Sequence, residues 1–250
     1  MELTQVQKHE LIENGFVIIP QAVPQLMTDK ALRAINMSLG EGIDLEKLPI
    51  MRAQSFCPEL GDEPVVVDLF QKTPLQDLTE SLLGEGNAQS HHAQIALRFP
   101  ISQDPPRPPG WHIDGIPTAT NGVAPGALAS FTMLVSVLLS DVPHENMGNF
   151  SVWPGSHRVL ENYCREHGAD SILTERPKLE MAPQQIIGRK GDAVICHFQL
   201  GHGIAPNVSP HIRYALFFRL KHPSHESRKV ETLSNLWLEW PGVHDALNNK

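Results

Sequence analysis

Trp111-His112-Ile113-Asp114-Gly115 is the stretch from which the rest of the chain is read. In an extended backbone successive side chains point to opposite faces, so His112 and Asp114 point the same way. One imidazole and one carboxylate then reach a common point. A second histidine would complete the facial set that holds non-haem Fe(II) and leaves coordination positions open. The triplet alone is a weak signal. With 13 His and 28 Asp and Glu in 250 residues, chance supplies ~1.5 triplets of the form His-x-Asp/Glu, and the chain holds one. A metal site here requires that other segments supply a third ligand and a use for the metal.

The segments around the triplet predict a β-rich fold. Residues 100–126 form a loop with seven Pro, and a loop of that length inside a compact domain marks function or disorder. Before it, residues 88–99 read as a strand with Gln94, Ala96 and Arg98 on one face and Ile95, Leu97 and Phe99 on the other. After it, Phe131 to Leu139 is apolar throughout, as in a strand buried on both faces. A polar turn over 140–148, a short strand over Asn149–Trp153 and a stop at Pro154–Arg158 follow, with Ser156 expected to cap a helix reaching Glu166. Gly191-Asp192 precedes a strand over Ala193–Phe198, and Pro206–Pro210 turns into a strand over Ile212–Leu220.

The N-terminal third reads differently. Residues 1–14 suit a polar helix, Gly15–Pro20 a short apolar strand, and Pro24–Leu39 a helix with Leu26, Leu32, Ile35 and Leu39 at roughly helical spacing. Residues 40–61 read as a loop. Asp62-Glu63-Pro64 and Thr73-Pro74 mark two further helix starts, the second helix ending at Gly84 and Gly86. Glu231–Trp240 suits a short terminal helix. The expectation is a mainly β fold with flanking helices in one domain, 1–250, comprising a helical N-terminal region over 1–87, a β core over 88–222 and a helical tail over 223–250.

Net charge is −8 with no basic block, which argues against nucleic acid or an anionic membrane as the main partner. No run of ~18 apolar residues suggests a membrane span, and the N-terminus has no secretory pattern. Cys57, Cys164 and Cys196 fit neither a zinc spacing nor a disulfide framework. A reducing compartment, the cytoplasm, is expected, with a small molecule as partner and oligomeric state left open.

His197, His202 and His211 are the candidates for the third ligand. His202 lies between Gly201 and Gly203, which allow close backbone approach. Arg213 lies beyond the following turn and is expected to face the His202 segment across a hairpin. A guanidinium there can grip a carboxylate with two parallel hydrogen bonds, as a 2-oxo acid bound to a metal would require. Bland alternatives stand beside these readings. Any one His is more often a structural residue, a lone Arg more often lies along the surface, Asp192 reads as a turn residue and Cys196 as core.

Taken together, several segments resemble the phytanoyl-CoA dioxygenase family. They are Glu13–Pro20, His112-Ile113-Asp114, Leu139-Ser140-Asp141, Glu145-Asn146-Met147-Gly148, Trp153–Arg158, Gly191-Asp192, His202–Asn207 and Arg213. The similarity runs from about residue 8 to about residue 222. It implies a double-stranded β-helix, or jelly roll, flanked by helices. It also implies an Fe(II)- and 2-oxoglutarate-dependent dioxygenase using O2, with iron on His112, Asp114 and His202, 2-oxoglutarate on Arg213, and His157 as a structural residue. Some members carry a small hydroxyl residue two positions after the distal His. Ile204 stands there instead, so Thr132 and Ser136 become candidates for that contact with the cosubstrate, and Gln94 and Arg98 for contact with 2-oxoglutarate or substrate. Related halogenases replace the ligating carboxylate with a small residue, so Asp114 favours hydroxylation, with desaturation or ring chemistry left open. A jelly-roll protein that binds a metal or small ligand without turnover is the competing reading.

Overall fold

The structure, a computed structural model, describes residues 1–248. Helix α1 (Gln5–Asn14) starts at a capping box, in which Thr4 Oγ1 accepts from the Gln7 N–H and the Gln7 side chain accepts from the Thr4 N–H. Gly15, at φ +82°, closes it and leads into β1 (Phe16–Ile19). Helices α2 (Gln25–Leu39), α3 (Leu48–Ala53), α4 (Pro64–Gln71) and α5 (Pro74–Leu83) follow. Each of α4 and α5 begins at its Pro, where a missing N–H costs nothing.

Beyond α5 come β2 (Ala93–Arg98), β3 (Met133–Leu138), β4 (Phe150–Val152), α6 (Ser156–His167), β5 (Gln184–Gln185), β6 (Ala193–His197), β7 (His202–Ile204) and β8 (Arg213–Leu220). The short helices α7 (His225–Arg228) and α8 (His244–Asn248) end the described chain. Among the described residues the strands form two antiparallel sheets, one ordered β1-β6-β3-β8-β2 and one ordered β5-β4-β7.

The larger sheet is buried on both faces, which is why β3 is apolar at nearly every position. In β8, Leu216, Phe218 and Leu220 point outward to a core shared with α1, α2, α4 and α5. Ala215 and Phe217 point inward to a second core that includes Phe150 and Val152 of the smaller sheet, and the Phe150 and Phe217 rings meet edge to face at 5.3 Å. The two cores hold the sheets and helices in fixed relation, and the inner face carries the site.

Four local expectations are corrected. Residues 40–61 contain α3 and a 3₁₀ turn at Pro58–Leu60; Phe56 and Cys57 lie in the outer core with Leu48, Met51 and Leu60 packed on it, but Pro49 and Pro58 interrupt the stretch and no sustained period can be read from it. Ser156 lies inside α6, whose N-cap is Gly155 at φ +80°, and its Oγ accepts from the Gly201 N–H at 2.8 Å. Glu231–Trp240 is not a helix but a 3₁₀ turn at Glu231–Leu233 followed by irregular chain. Its backbone groups are taken by other segments: Leu233 O by Gln199, Ser234 O by Arg165 and the Leu236 N–H by Glu161. Finally, β7 and β8 do not form a hairpin. β7 pairs with β4 and β8 with β2 and β3, so the chain between His202 and Arg213 crosses from one sheet to the other.

Candidate metal centre

His202 is placed by β7, and His112 by a single antiparallel bridge laid against it. The His112 N–H donates to His202 O at 2.8 Å and the His202 N–H to His112 O at 2.9 Å. This pairing explains the surrounding glycines. A Cβ on Gly203 would lie 2.1 Å from Gly110 O, and one on Gly115, at φ +83°, would lie 2.5 Å from Ala129 O. Only glycine lets the 110–115 segment sit that close to both neighbours.

Asp114 Oδ1 lies 3.3 Å from His112 Nε2 and 3.5 Å from His202 Nε2, and the three ligand atoms fall within 4.8 Å of one another. Two ligands each about 2.1 Å from an ion and at right angles are about 3 Å apart, so this spacing suits one face of a metal. His202, 7% exposed, donates from Nδ1 to Leu200 O at 2.9 Å, which leaves Nε2 as the free lone pair facing the site. The His112 side chain is 50% exposed toward the cavity. Desolvation of its ring, and then the neighbouring His202, push its pKa down, favouring the neutral form a metal needs.

Burial alone would raise the Asp114 carboxyl, which is 15% exposed, but Arg219 and hydrogen bonds to the two histidines hold it well below the usual carboxylate range. Arg219 binds Asp114 Oδ2 through Nε at 2.9 Å and Nη2 at 2.6 Å, and its Nη2 also donates to Gln94 Oε1 at 2.8 Å. Arg219 escaped the sequence reading. The signal was present in β8, since Arg213, Ala215, Phe217 and Arg219 share one face at period two.

These groups line one cavity of about 570 Å³, together with Arg213, Arg98 and Gln94. Arg213 is 2% exposed. Its Nε donates to Gly148 O at 2.7 Å and its Nη1 to Ala96 O at 3.0 Å, while its Nη2 is buried with no partner among the described residues. Desolvation, and then Arg98, lower its pKa to about 9. An unpaired buried charged donor is costly, and a carboxylate entering the cavity would remove that cost.

Other sequence candidates lie elsewhere. Thr132 is not at the cavity wall. Its hydroxyl donates to Glu239 Oε2 at 2.6 Å, and Glu239 also binds His225 Nδ1 at 2.8 Å, with Ser130 Oγ on His225 Nε2 at 2.9 Å. That Ser-His-Glu array is closed to solvent, and it ties the C-terminal tail to the start of β3. Ser136 faces the inner core beside its register partner Phe217, its Oγ unbonded, and does not line the cavity. His197 is buried among His157, Trp237 and Trp240, while His211, His91 and His92 are exposed and away from the cavity. The three cysteines are free and buried. Among the described residues, no helix is long and apolar enough to cross a membrane.

Residues 11–215 match the family described as phytanoyl-CoA dioxygenase (PhyH). No curated protein matches the chain by sequence. The fold is similar to several solved structures. The non-heme alpha-ketoglutarate-dependent epimerase SnoN from nogalamycin biosynthesis is 19% identical, with 86% of this chain and 80% of that chain covered and a TM-score of 0.59. HygX from Streptomyces hygroscopicus, solved with nickel and 2-oxoglutarate bound, is 16% identical, with 89% and 88% covered and a TM-score of 0.58. The non-heme monooxygenase ThoJ, as its nickel complex, is 20% identical, with 86% and 77% covered and a TM-score of 0.55.

Proposed function

The chain belongs to the phytanoyl-CoA dioxygenase family, and from that premise we propose that it is an Fe(II)- and 2-oxoglutarate-dependent oxygenase of a small molecule, built as one jelly-roll domain with flanking helices. The observation that carries this reading is the presence in one cavity of the His112, Asp114 and His202 ligand atoms and the unpartnered Nη2 of Arg213. Both features fit the groups the reading requires. Two imidazole nitrogens and one carboxylate oxygen suit Fe(II) with open positions, and a buried guanidinium short of one acceptor suits the far carboxylate of 2-oxoglutarate.

Bound there, Fe(II) and 2-oxoglutarate supply the oxidation, in which O2 gives one atom to succinate, formed with CO2 from the cosubstrate, and the other to a substrate C–H bond. The chain's own residues bind and orient. Leu200 O fixes the His202 ring, Arg219 keeps Asp114 ionised and turned with Oδ1 toward the histidines, and Arg213 sets the depth at which a dicarboxylate sits. Phe150 and Phe217 form an apolar wall beside the ligands, which limits water at the reacting centre. Ser136 and Thr132 have no part in this arrangement, and Gln94 acts through Arg219.

Hydroxylation is the outcome proposed, because Asp114 occupies the position that halogenation would leave vacant. The similar structures include an epimerase as well as a monooxygenase, so product analysis decides this point. The test is anaerobic addition of Fe(II) and 2-oxoglutarate, followed by air. A visible charge-transfer band and then slow succinate release support an oxygenase. Binding without succinate supports the non-turnover alternative, and the absence of both ends the proposal.

A further inference from the structure

Five arginines, Arg52, Arg98, Arg176, Arg213 and Arg219, line the cavity, and Asp114 is its one acidic lining residue. The chain as a whole carries a net charge of −8, so the reversal of sign is local. Two of the five have work already. Arg219 is paired with Asp114, and Arg213 is assigned to the cosubstrate on the reading above. The other three come from separate elements: Arg52 from α3, Arg98 from β2, and Arg176 from the segment after the 3₁₀ turn at Ala169–Leu173. Among the described residues none of these three guanidiniums makes a hydrogen bond or an ion pair.

Arg52 and Arg176 are exposed at the cavity, and the cost without a ligand falls on Arg98 and Arg213. Arg98 and Arg213 are direct partners across β2 and β8, and like charges opposite one another destabilise a strand pair. Gly148 crosses over both, so close that a Cβ there would lie 2.8 Å from Arg98 Cβ. Desolvation, and then the nearby Arg52, lower the Arg98 pKa. Arg176 sits over the Trp111 ring at 5.2 Å, beside the metal ligand His112. Bound cofactors do not cancel this charge. Two charges on iron, with Arg213 and Arg219, already exceed the one on Asp114 and the two on 2-oxoglutarate, before Arg52, Arg98 and Arg176 are counted.

We infer that the primary substrate is an anion, a small molecule bearing a carboxylate or a phosphate ester, which Arg52, Arg98 and Arg176 hold in the cavity. Its apolar portion lies against Phe150, Phe217 and Ile116, where the C–H bond to be oxidised faces the metal ligands. A cavity of about 570 Å³ is in the range that takes a drug-sized ligand, enough for the cosubstrate and a modest second molecule. This inference rests on the oxygenase reading for the position of the C–H bond, but not for the charge of its partner.

The test uses the full chain, loaded anaerobically with Fe(II) and saturating 2-oxoglutarate so that probes are kept off Arg213. Hexanoate, hexyl phosphate and neutral hexanamide are titrated by calorimetry, with the charge-transfer band followed in parallel. The expected result is binding of at least one anion about tenfold or more tighter than the amide, the better of the two identifying the anionic group. In an R52Q/R176Q double variant that preference collapses while 2-oxoglutarate affinity and the band are retained. Equal binding of amide and anions with the band intact, or an anion preference that survives the double variant, overturns the inference alone. Absence of the band in the native chain overturns the oxygenase reading and the placing of the C–H bond, while the anion preference is still decided by the calorimetry alone.

Discussion

Arg219 holds Asp114 by a single oxygen: its Nε and Nη2 both bind Oδ2, at 2.9 and 2.6 Å, and Oδ1 is left facing His112 and His202. The carboxylate is thereby divided into a fixed end and a ligating end. Substitution R219Q removes the fixed end's charge and one of its two contacts. Outer contacts of this kind are worth about 10–100-fold in metal affinity or activity. An anaerobic Fe(II) titration should show a loss of that size with the fold retained by circular dichroism; unchanged affinity would remove Arg219 from the site.

His202 and His197 are five residues apart and sit in different environments. His202 Nε2 faces Asp114, whereas His197 donates from Nε2 to Leu236 O and accepts the Gln199 N–H at Nδ1. H202A should abolish iron binding without a large loss of stability. H197A should lower the denaturation midpoint and leave the iron stoichiometry of the folded protein at its native value. An exchange of these two outcomes would show the ligand assignment to be wrong.

Arg213 carries the second half of the site. Substitution R213A deletes a charged hydrogen-bond donor, a loss of ~1.5–3 kcal/mol, or roughly 10–150-fold in the 2-oxoglutarate concentration needed for half saturation. Iron affinity in the absence of cosubstrate should change little, since Arg213 makes no hydrogen bond or ion pair with His112, Asp114 or His202. Titrating iron and 2-oxoglutarate separately distinguishes the two effects.

What the sequence disclosed and what it hid divide along a physical line. The strand faces of β2 and β8, and the common side of His112 and Asp114, were legible because period-two alternation is local and rigid; Arg213 was reached through the family resemblance, since the hairpin expected to bring it to His202 does not form. The positions of Thr132 and Ser136 were not legible. Both belong to the same apolar strand, yet Thr132 lies at its start, where the tail's Glu239 claims its hydroxyl, and Ser136 is covered in the inner core. The contact between Thr132 and Glu239 spans 107 residues, and no local pattern reports it. The expected hairpin between His202 and Arg213 failed for a related reason: a turn signal does not say that the strands on its two sides belong to different sheets.

The Thr132, His225 and Glu239 cluster should behave as a structural clasp. Glu239 and His225 are each 1% exposed in their side chains. Removing His225 leaves buried Glu239 Oε2 and Ser130 Oγ short of a partner, and an unsatisfied buried polar group costs ~1–3 kcal/mol. H225A should therefore lower stability by an amount of that order in urea unfolding, and T132V by less. Neither should shift the 2-oxoglutarate affinity of the folded fraction, because the cluster does not line the cavity. A selective loss of cosubstrate binding in T132V would restore Thr132 as a cosubstrate contact.

The buried histidines make the fold acid-sensitive. Desolvation, followed for His157 by its neighbour His197, lowers the pKa to about 3 at His157 and about 4 at His197. His157 donates from Nε2 to Ile12 O and has no partner at Nδ1, so a second proton there would find no acceptor. Glu13 and Arg158 lie near His157, and Glu239 near His197, but none outweighs burial. In the unfolded chain both rings titrate near 6.5. The unfolded state therefore binds more protons between pH 6.5 and the folded values, and stability, fully present above 6.5, is lost as pH falls through that window. At ~1.4 kcal/mol per pH unit for each ring, the two together withdraw on the order of 5 kcal/mol by pH 4.5. Urea unfolding at intervals across this range should show the fall, and H157Q should roughly halve its slope. A stability that stays level from pH 7 to 4.5 would mean that these rings are protonated, or exposed, in the folded protein.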